Sequence, residues 1–230
     1  MNNLNHQVLI QNRRLVDLGL VVDTFGNASG RIEDEFFIKP SGVNIEKVNK
    51  DSIVKVNINS LDFISGYKPS SDTPTHLELY KAFSGLGGIV HTHSIYATAW
   101  AQSGKPIPCL GTTHADYWSG EIPITRDLTT DEINFEYEKE TGKVIIEKIQ
   151  ELNVDPLHCP GILVANHGPF TWGATVEDAV KHAELLEYIA RLTWLSLSIN
   201  PDAKPISKAL LNKHFARKHG PDAYYGQESD

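Results

Sequence analysis

Gly88-Ile89-Val90-His91-Thr92-His93 is a β-prone run that opens on glycine and ends in two histidines. Three runs of the same kind lie elsewhere in the chain: Phe36-Phe37-Ile38, Ile53-Val54-Lys55-Val56 and Ile162-Leu163-Val164-Ala165, each bounded by Gly, Pro, Ser or Asn. Short apolar runs with such punctuation predict strands, here of one central sheet. Helical patterns fill the spaces between them. Leu4, Val8, Leu15 and Leu18 recur at helical intervals before Gly19. Thr73-Pro74 reads as an N-cap with proline in the first turn, leading into Leu77, Tyr80 and Phe83. Thr129 and Glu132 form a capping box ahead of Ile133, Tyr137, Val144, Ile145, Ile149 and Leu152, with Gly142 weakening that helix midway. A further helix starts near Thr175 and carries Val176, Ala179, Val180, Ala183, Leu186, Ala190 and Leu197 on one side; a last one spans about Ile206 to Lys218. Strands and helices therefore mingle in an α/β or α+β arrangement, with no repeat or linker to divide residues 1–230.

Composition narrows the partners. The 230 residues are 40% hydrophobic, enough for a sizeable core, and the net charge of −8 disfavours nucleic acid and anionic membranes. An anionic substrate would need a local positive pocket. Cys109 and Cys159 lie in no metal-type spacing and suit a reducing compartment. No basic stretch precedes an apolar block at the N-terminus, and no apolar run reaches membrane-spanning length, which predicts a soluble cytoplasmic protein.

Three histidines and a set of small donors carry the chemistry. On a strand, His91 and His93 fall on one face with Cα atoms about 6.5–7 Å apart, a span two imidazoles can close around one ion. Taken alone, such a pair is also what a half-exposed strand carries by chance. His167, in Ala165-Asn166-His167-Gly168-Pro169, adds a third imidazole where an apolar run meets a Gly-Pro turn; alone it reads equally as a turn histidine. Together they form the three-ligand set of an open catalytic site, suited to zinc, with manganese or another divalent ion as alternatives. Gly26-Asn27, Lys39-Pro40-Ser41-Gly42 and Ser70-Ser71-Asp72 supply small donors in loops. Ser70 and Ser71 precede a helix start, where free amides and the dipole favour an anion, and Lys39 adds a full charge. Each segment is also ordinary turn chemistry. Gly111-Thr112-Thr113-His114-Ala115-Asp116-Tyr117, read as a loop, offers proton-handling groups or a structural Asx turn.

In order and spacing these segments resemble the L-ribulose-5-phosphate 4-epimerases of the class II aldolase family. So do Asn166-His167-Gly168-Pro169-Phe170, Lys218-His219-Gly220 and the terminal Ala223-Tyr224-Tyr225-Gly226-Gln227, from near residue 8 to the C-terminus. The resemblance implies one domain with a central, mainly antiparallel β-sheet flanked by helices. It implies zinc held by His91, His93, His167 and Asp72, and the phosphate of a phosphorylated pentulose held by Asn27, Ser41, Gly42, Ser70 and Ser71. Asp116 and Tyr225 match the family's acid/base pair, and Thr112 and His214 its supporting contacts. The implied reaction is C3–C4 cleavage and re-addition, in a homotetramer with sites between subunits, so that Tyr225 is expected to complete a neighbour's site. One departure is Phe25, where a tryptophan is usual. Two other functions share the fold family: a class II aldolase of the L-fuculose-phosphate type, which usually carries a glutamate near Asp72, and a non-catalytic adducin-head-like module.

Overall fold

The computed structural model describes residues 4–60, 62–64, 66–220 and 223–224. All named strands join one sheet in the order β4-β3-β2-β1-β5-β7-β6, and every neighbouring pair runs antiparallel. The strands are β1 (Asn27–Ile32), β2 (Glu35–Ile38), β3 (Val54–Asn57), β4 (Phe63–Ile64), β5 (Gly88–His91), β6 (Gly161–Val164) and β7 (Gly168–Gly173). Helices α1 (Leu4–Asp17), α2 (Thr73–Ala82), α3 (Ile95–Gln102), α4 (Thr112–Ala115), α5 (Thr130–Leu152), α6 (Val176–Ile199) and α7 (Lys208–His219) surround it. None of them is long and apolar enough to cross a membrane, among the described residues.

Side-chain alternation along the strands divides the core. Ile89 joins Phe36, Ile38, Tyr80, Ile145 and Trp172 on one face, whereas its neighbour Val90 joins Val8, Leu15, Ala28 and Val180 on the other. Helix α6 serves both sides, its first turns in the second cluster and Leu186, Ile189 and Ala190 in the first. The predicted Thr129–Glu132 capping box and the Thr175 cap are both formed.

Several sequence expectations change. Strand β1, Asn-Ala-Ser-Gly-Arg-Ile, has no apolar alternation, yet it lies mid-sheet with its first four residues buried, because small side chains let helices pack close. Gly168-Pro169 is not a turn. It opens β7, and the reversal falls on Ala165-Asn166-His167, where Asn166 takes a left-handed φ of 59°. Asp72, not Thr73, is the N-cap of α2, and Thr112–Ala115 is a short helix rather than loop, with Asp116 as its C-cap. Gly142 in α5 marks the crossing with α2: a Cβ there would stand 2.9 Å from the Glu78 Cβ and 3.2 Å from the Thr75 carbonyl oxygen.

Candidate metal centre and anion pocket

The register brings one end of the sheet to a focus. Asn27 at the start of β1 pairs with His91 at the end of β5, His91 pairs with Phe170 near the start of β7, and Lys39 follows the end of β2. His91 is buried, His167 half-buried and His93 exposed, and one ring nitrogen from each lies within 4.8 Å of the others. The His91 and His93 Nε2 atoms stand 3.0 Å apart. His91 Nδ1 lies 3.0 Å from the Pro169 carbonyl, and donating there leaves Nε2 as a bare lone pair. Burial pulls His91 down to about 3, against an opposing pull from Asp72, and it also lowers His93 and His167. Neutral imidazoles converging with free lone pairs are the donor set of a divalent cation, so these residues fit the implied metal.

The same cavity, of about 390 Å³, is lined by Gly26, Asn27, Lys39, Ser41, Gly42, Ser70, Ser71 and Asp72 as well as the three histidines. Asp72 caps α2 without a side-chain capping bond; its Oδ2 accepts from Asn27 Nδ2 at 2.6 Å instead. Burial works to raise this carboxyl, but nearby His91 and His76 and the Asn27 bond leave it lowered overall, hence ionised. It stands outside the tight histidine group. Lys39 Nζ donates to the Thr24 and Gly26 carbonyls at 2.6 and 3.2 Å, tying down the 24–26 loop beside the cavity; burial lowers its ammonium below the ordinary value, against opposing pulls from Asp72 and Asp23. Gly26 is needed there. Its φ is 76°, and a Cβ would meet Val21 Cγ1 at 2.6 Å. The Asn27 amide also donates to Ser70 Oγ at 3.1 Å, so the predicted anion segments are bonded to one another.

A second cluster stands apart from this cavity. Asp116 accepts from Arg217 Nε and Nη2 at 2.9 and 2.6 Å, and its Oδ1 lies 3.0 Å from His214 Nδ1. His219 Nε2 is 2.9 Å from the Asp116 carbonyl oxygen. Burial opposes the charge, yet the Arg217 and His214 bonds hold the Asp116 carboxyl below its ordinary range. Thr112, Asp116 and His214 are therefore grouped by α4 and α7 and do not line the three-histidine cavity of their own chain. Tyr225 lies outside the described residues; the chain before it is tied to α7, with Tyr224 N–H donating to the Arg217 carbonyl.

Sequence reasoning noted Phe25 only as a departure and missed other parts of the cavity wall. Phe25 stacks on His93, ring centres 5.9 Å apart. Tyr137 and Glu138 also line the cavity, although Tyr137 is read from periodicity as part of a helix's apolar face. The stripe breaks because α5 leaves helical geometry at Glu136, a feature no Pro or Gly announces there.

Comparison with known proteins agrees with this geometry. Residues 6–194 match the family described as Class II Aldolase and Adducin N-terminal domain. The chain is 52% identical over 230 residues to L-ribulose-5-phosphate 4-epimerase UlaF of Salmonella paratyphi C, covering 99% of this chain and all of that one, and equally to UlaF of Salmonella typhi. Among solved structures, an L-fuculose 1-phosphate aldolase superposes with a TM-score of 0.77 at 21% identity, covering 93% of this chain and 95% of its own. The L-fuculose-1-phosphate aldolase of Thermus thermophilus gives 0.69 at 20% identity, over 87% and 98%. At those identities the structural likeness speaks for the fold, and the full-length sequence match and the family match together establish that the chain belongs to the class II aldolase and adducin family.

Proposed function

We propose that the chain is an L-ribulose-5-phosphate 4-epimerase, interconverting L-ribulose 5-phosphate and D-xylulose 5-phosphate with Zn²⁺ held by His91, His93, His167 and Asp72. The observation that carries this reading is the shared cavity, which sets three neutral imidazoles beside Lys39, Asn27, Ser41, Ser70 and Ser71. The C4 hydrogen of a 2-ketose is not acidic, so inversion at C4 calls for breaking and remaking the C3–C4 bond. When bound, the ion supplies a Lewis acid for the charge that develops at C2 and C3. Everything else falls to the chain. Lys39 and the donors around the start of α2 hold the phosphate end, which keeps the two-carbon fragment in place while its aldehyde turns over. Asp116 and Tyr225 are the groups that exchange a proton with the C4 oxygen in its two orientations.

Because Asp116 does not line its own chain's cavity, we assign it to the metal centre of a neighbouring subunit in a homotetramer. Large apolar side chains left in water, Phe135 at 83% and Ile199 at 86% exposure among them, support an assembly that covers them. One continuous sheet supports reading residues 1–230 as a single unit. The test is incubation of purified protein with L-ribulose 5-phosphate. Accumulation of D-xylulose 5-phosphate is expected. Release of free dihydroxyacetone and glycolaldehyde phosphate would make the chain an aldolase, and an inert substrate would sink the reading.

A further inference from the structure

Helix α5 departs from helical geometry at Glu136, with φ −135° and ψ 58°. Such a break away from Pro or Gly persists only where surrounding contacts hold it, and it points to function when those contacts lead to a site. Two of them do. The Thr75 hydroxyl of α2 donates to the Glu138 carbonyl, fixing the chain just past the break to the helix that Asp72 caps. The Tyr137 hydroxyl lies 3.2 Å from His167 Nδ1, and the two rings stack with centres 6.0 Å apart and planes 30° from parallel. An unbroken helix would carry Tyr137 along the stripe that begins at Ile133; the break turns it into the cavity wall beside His91, His93 and His167.

The need for such a contact follows from the imidazoles. A histidine binds an ion through one nitrogen as a lone pair, so its proton must sit on the other, which needs an acceptor. His91 has the Pro169 carbonyl for this, 3.0 Å from its Nδ1. Among the described residues, the hydrogen-bond partner of His167 Nδ1 is the Tyr137 hydroxyl. We propose that Tyr137 is a positioning residue of the metal centre: its hydroxyl accepts the His167 Nδ1 proton, selects the tautomer with a free Nε2 lone pair, and its stacked ring sets the imidazole plane. This inference rests on the metal centre proposed above.

The experiment measures zinc affinity by competition with a coloured chelator, and the visible spectrum of the Co²⁺-substituted protein, for the wild type, Tyr137→Phe, His167→Ala and the double variant. Tyr137→Phe keeps the ring and should leave the thermal unfolding of the metal-free protein unchanged. It is expected to weaken zinc binding by about 10- to 100-fold and to shift the cobalt bands. In the His167→Ala background, already much weaker, it should cost nothing further. Wild-type affinity and an unshifted cobalt spectrum in Tyr137→Phe, with His167→Ala still impaired, would overturn the role of Tyr137. An added loss in the double variant would overturn it too, since Tyr137 would then act through another group. If the wild type binds no zinc, or His167→Ala binds it normally, the metal reading itself fails and the inference with it.

Discussion

Asp116 shows how much of a residue's chemistry its immediate partners set. Two hydrogen bonds from Arg217 and one contact with His214 keep its carboxylate ionised, so it begins as a proton acceptor. Asp116→Asn keeps the size and loses the base. It is expected to cost on the order of a hundredfold or more in turnover while zinc content, read by metal analysis, stays at the wild-type level. Near-normal turnover would return Asp116 to a structural role. Two residues earlier, His114 is buried, and burial pulls it down to about 4 against a weaker opposing backbone contact from Gly120. In the unfolded chain it titrates near 6.5. Its folded value is depressed, so below about 6.5 the unfolded chain takes up a proton that the fold refuses, and stability falls until pH reaches about 4. The loss over that span is roughly 2–3 kcal/mol. Urea unfolding at pH 7, 6 and 5 should therefore show a shallower acid decline in His114→Leu than in the wild type, whatever their stabilities at pH 7. Parallel declines would show that His114 does not drive it.

At the scale of elements, the site depends on how α2 and α5 cross. The start of α2 presents Ser70, Ser71 and Asp72, and the broken first part of α5 presents Tyr137. Gly142 lets the two helices approach. Helix propensity alone says Gly142→Ala should stabilise α5 by about 1 kcal/mol. The added methyl meets Glu78 Cβ at 2.9 Å and the Thr75 Cα at 3.3 Å, and backbone cannot swing away as a side chain can. Overpacking of this kind costs about 1–3 kcal/mol, so a net destabilisation is expected, seen as a lower urea midpoint with an unchanged slope. A raised midpoint would mean the crossing is looser than these distances indicate. Because Thr75 also holds the Glu138 carbonyl, the same change should weaken zinc binding.

For the whole molecule, the separation of Asp116 from the three-histidine cavity makes assembly part of the proposed catalysis. His93→Ala removes a metal ligand and Asp116→Asn a proton acceptor, so each homotetramer should be nearly inactive. Unfolded together and reassembled as an equal mixture, about a quarter of the interfaces would join an intact cavity to an intact Asp116, and activity should rise towards that fraction of the wild type. No recovery, with mixed tetramers confirmed by mass, would place both groups in one subunit's site. Tyr225→Phe mixed with His93→Ala tests the tail in the same way. Stripping zinc with a chelator should abolish turnover while the far-ultraviolet circular dichroism persists, because two hydrophobic clusters, not the ion, hold the sheet to its helices.

The sequence by itself determined the elements whose physics is local. Apolar runs between Gly, Pro and Asn became strands and the Thr129–Glu132 box started α5, whereas His93 lies beyond the end of β5 at His91, so the approach of the two imidazoles belongs to the segment after the strand and not to strand alternation. The resemblance, which follows residue order, also named metal and phosphate contacts that line one cavity. Tertiary structure alone decided what depends on partners distant in the chain. β1 is a strand because β2 and β5 flank its small residues, not because of any pattern within them. Gly168-Pro169 belongs to β7 because β6 supplies the pairing, Val164 with Gly168 and Leu163 with Pro169. Tyr137 faces the cavity because contacts with α2 and His167 accompany a break that no residue at Glu136 predicts. Asp116 joins Arg217 and His214 across about a hundred residues of chain, so neither its ionisation nor its distance from the metal centre was legible before the fold brought α7 against α4.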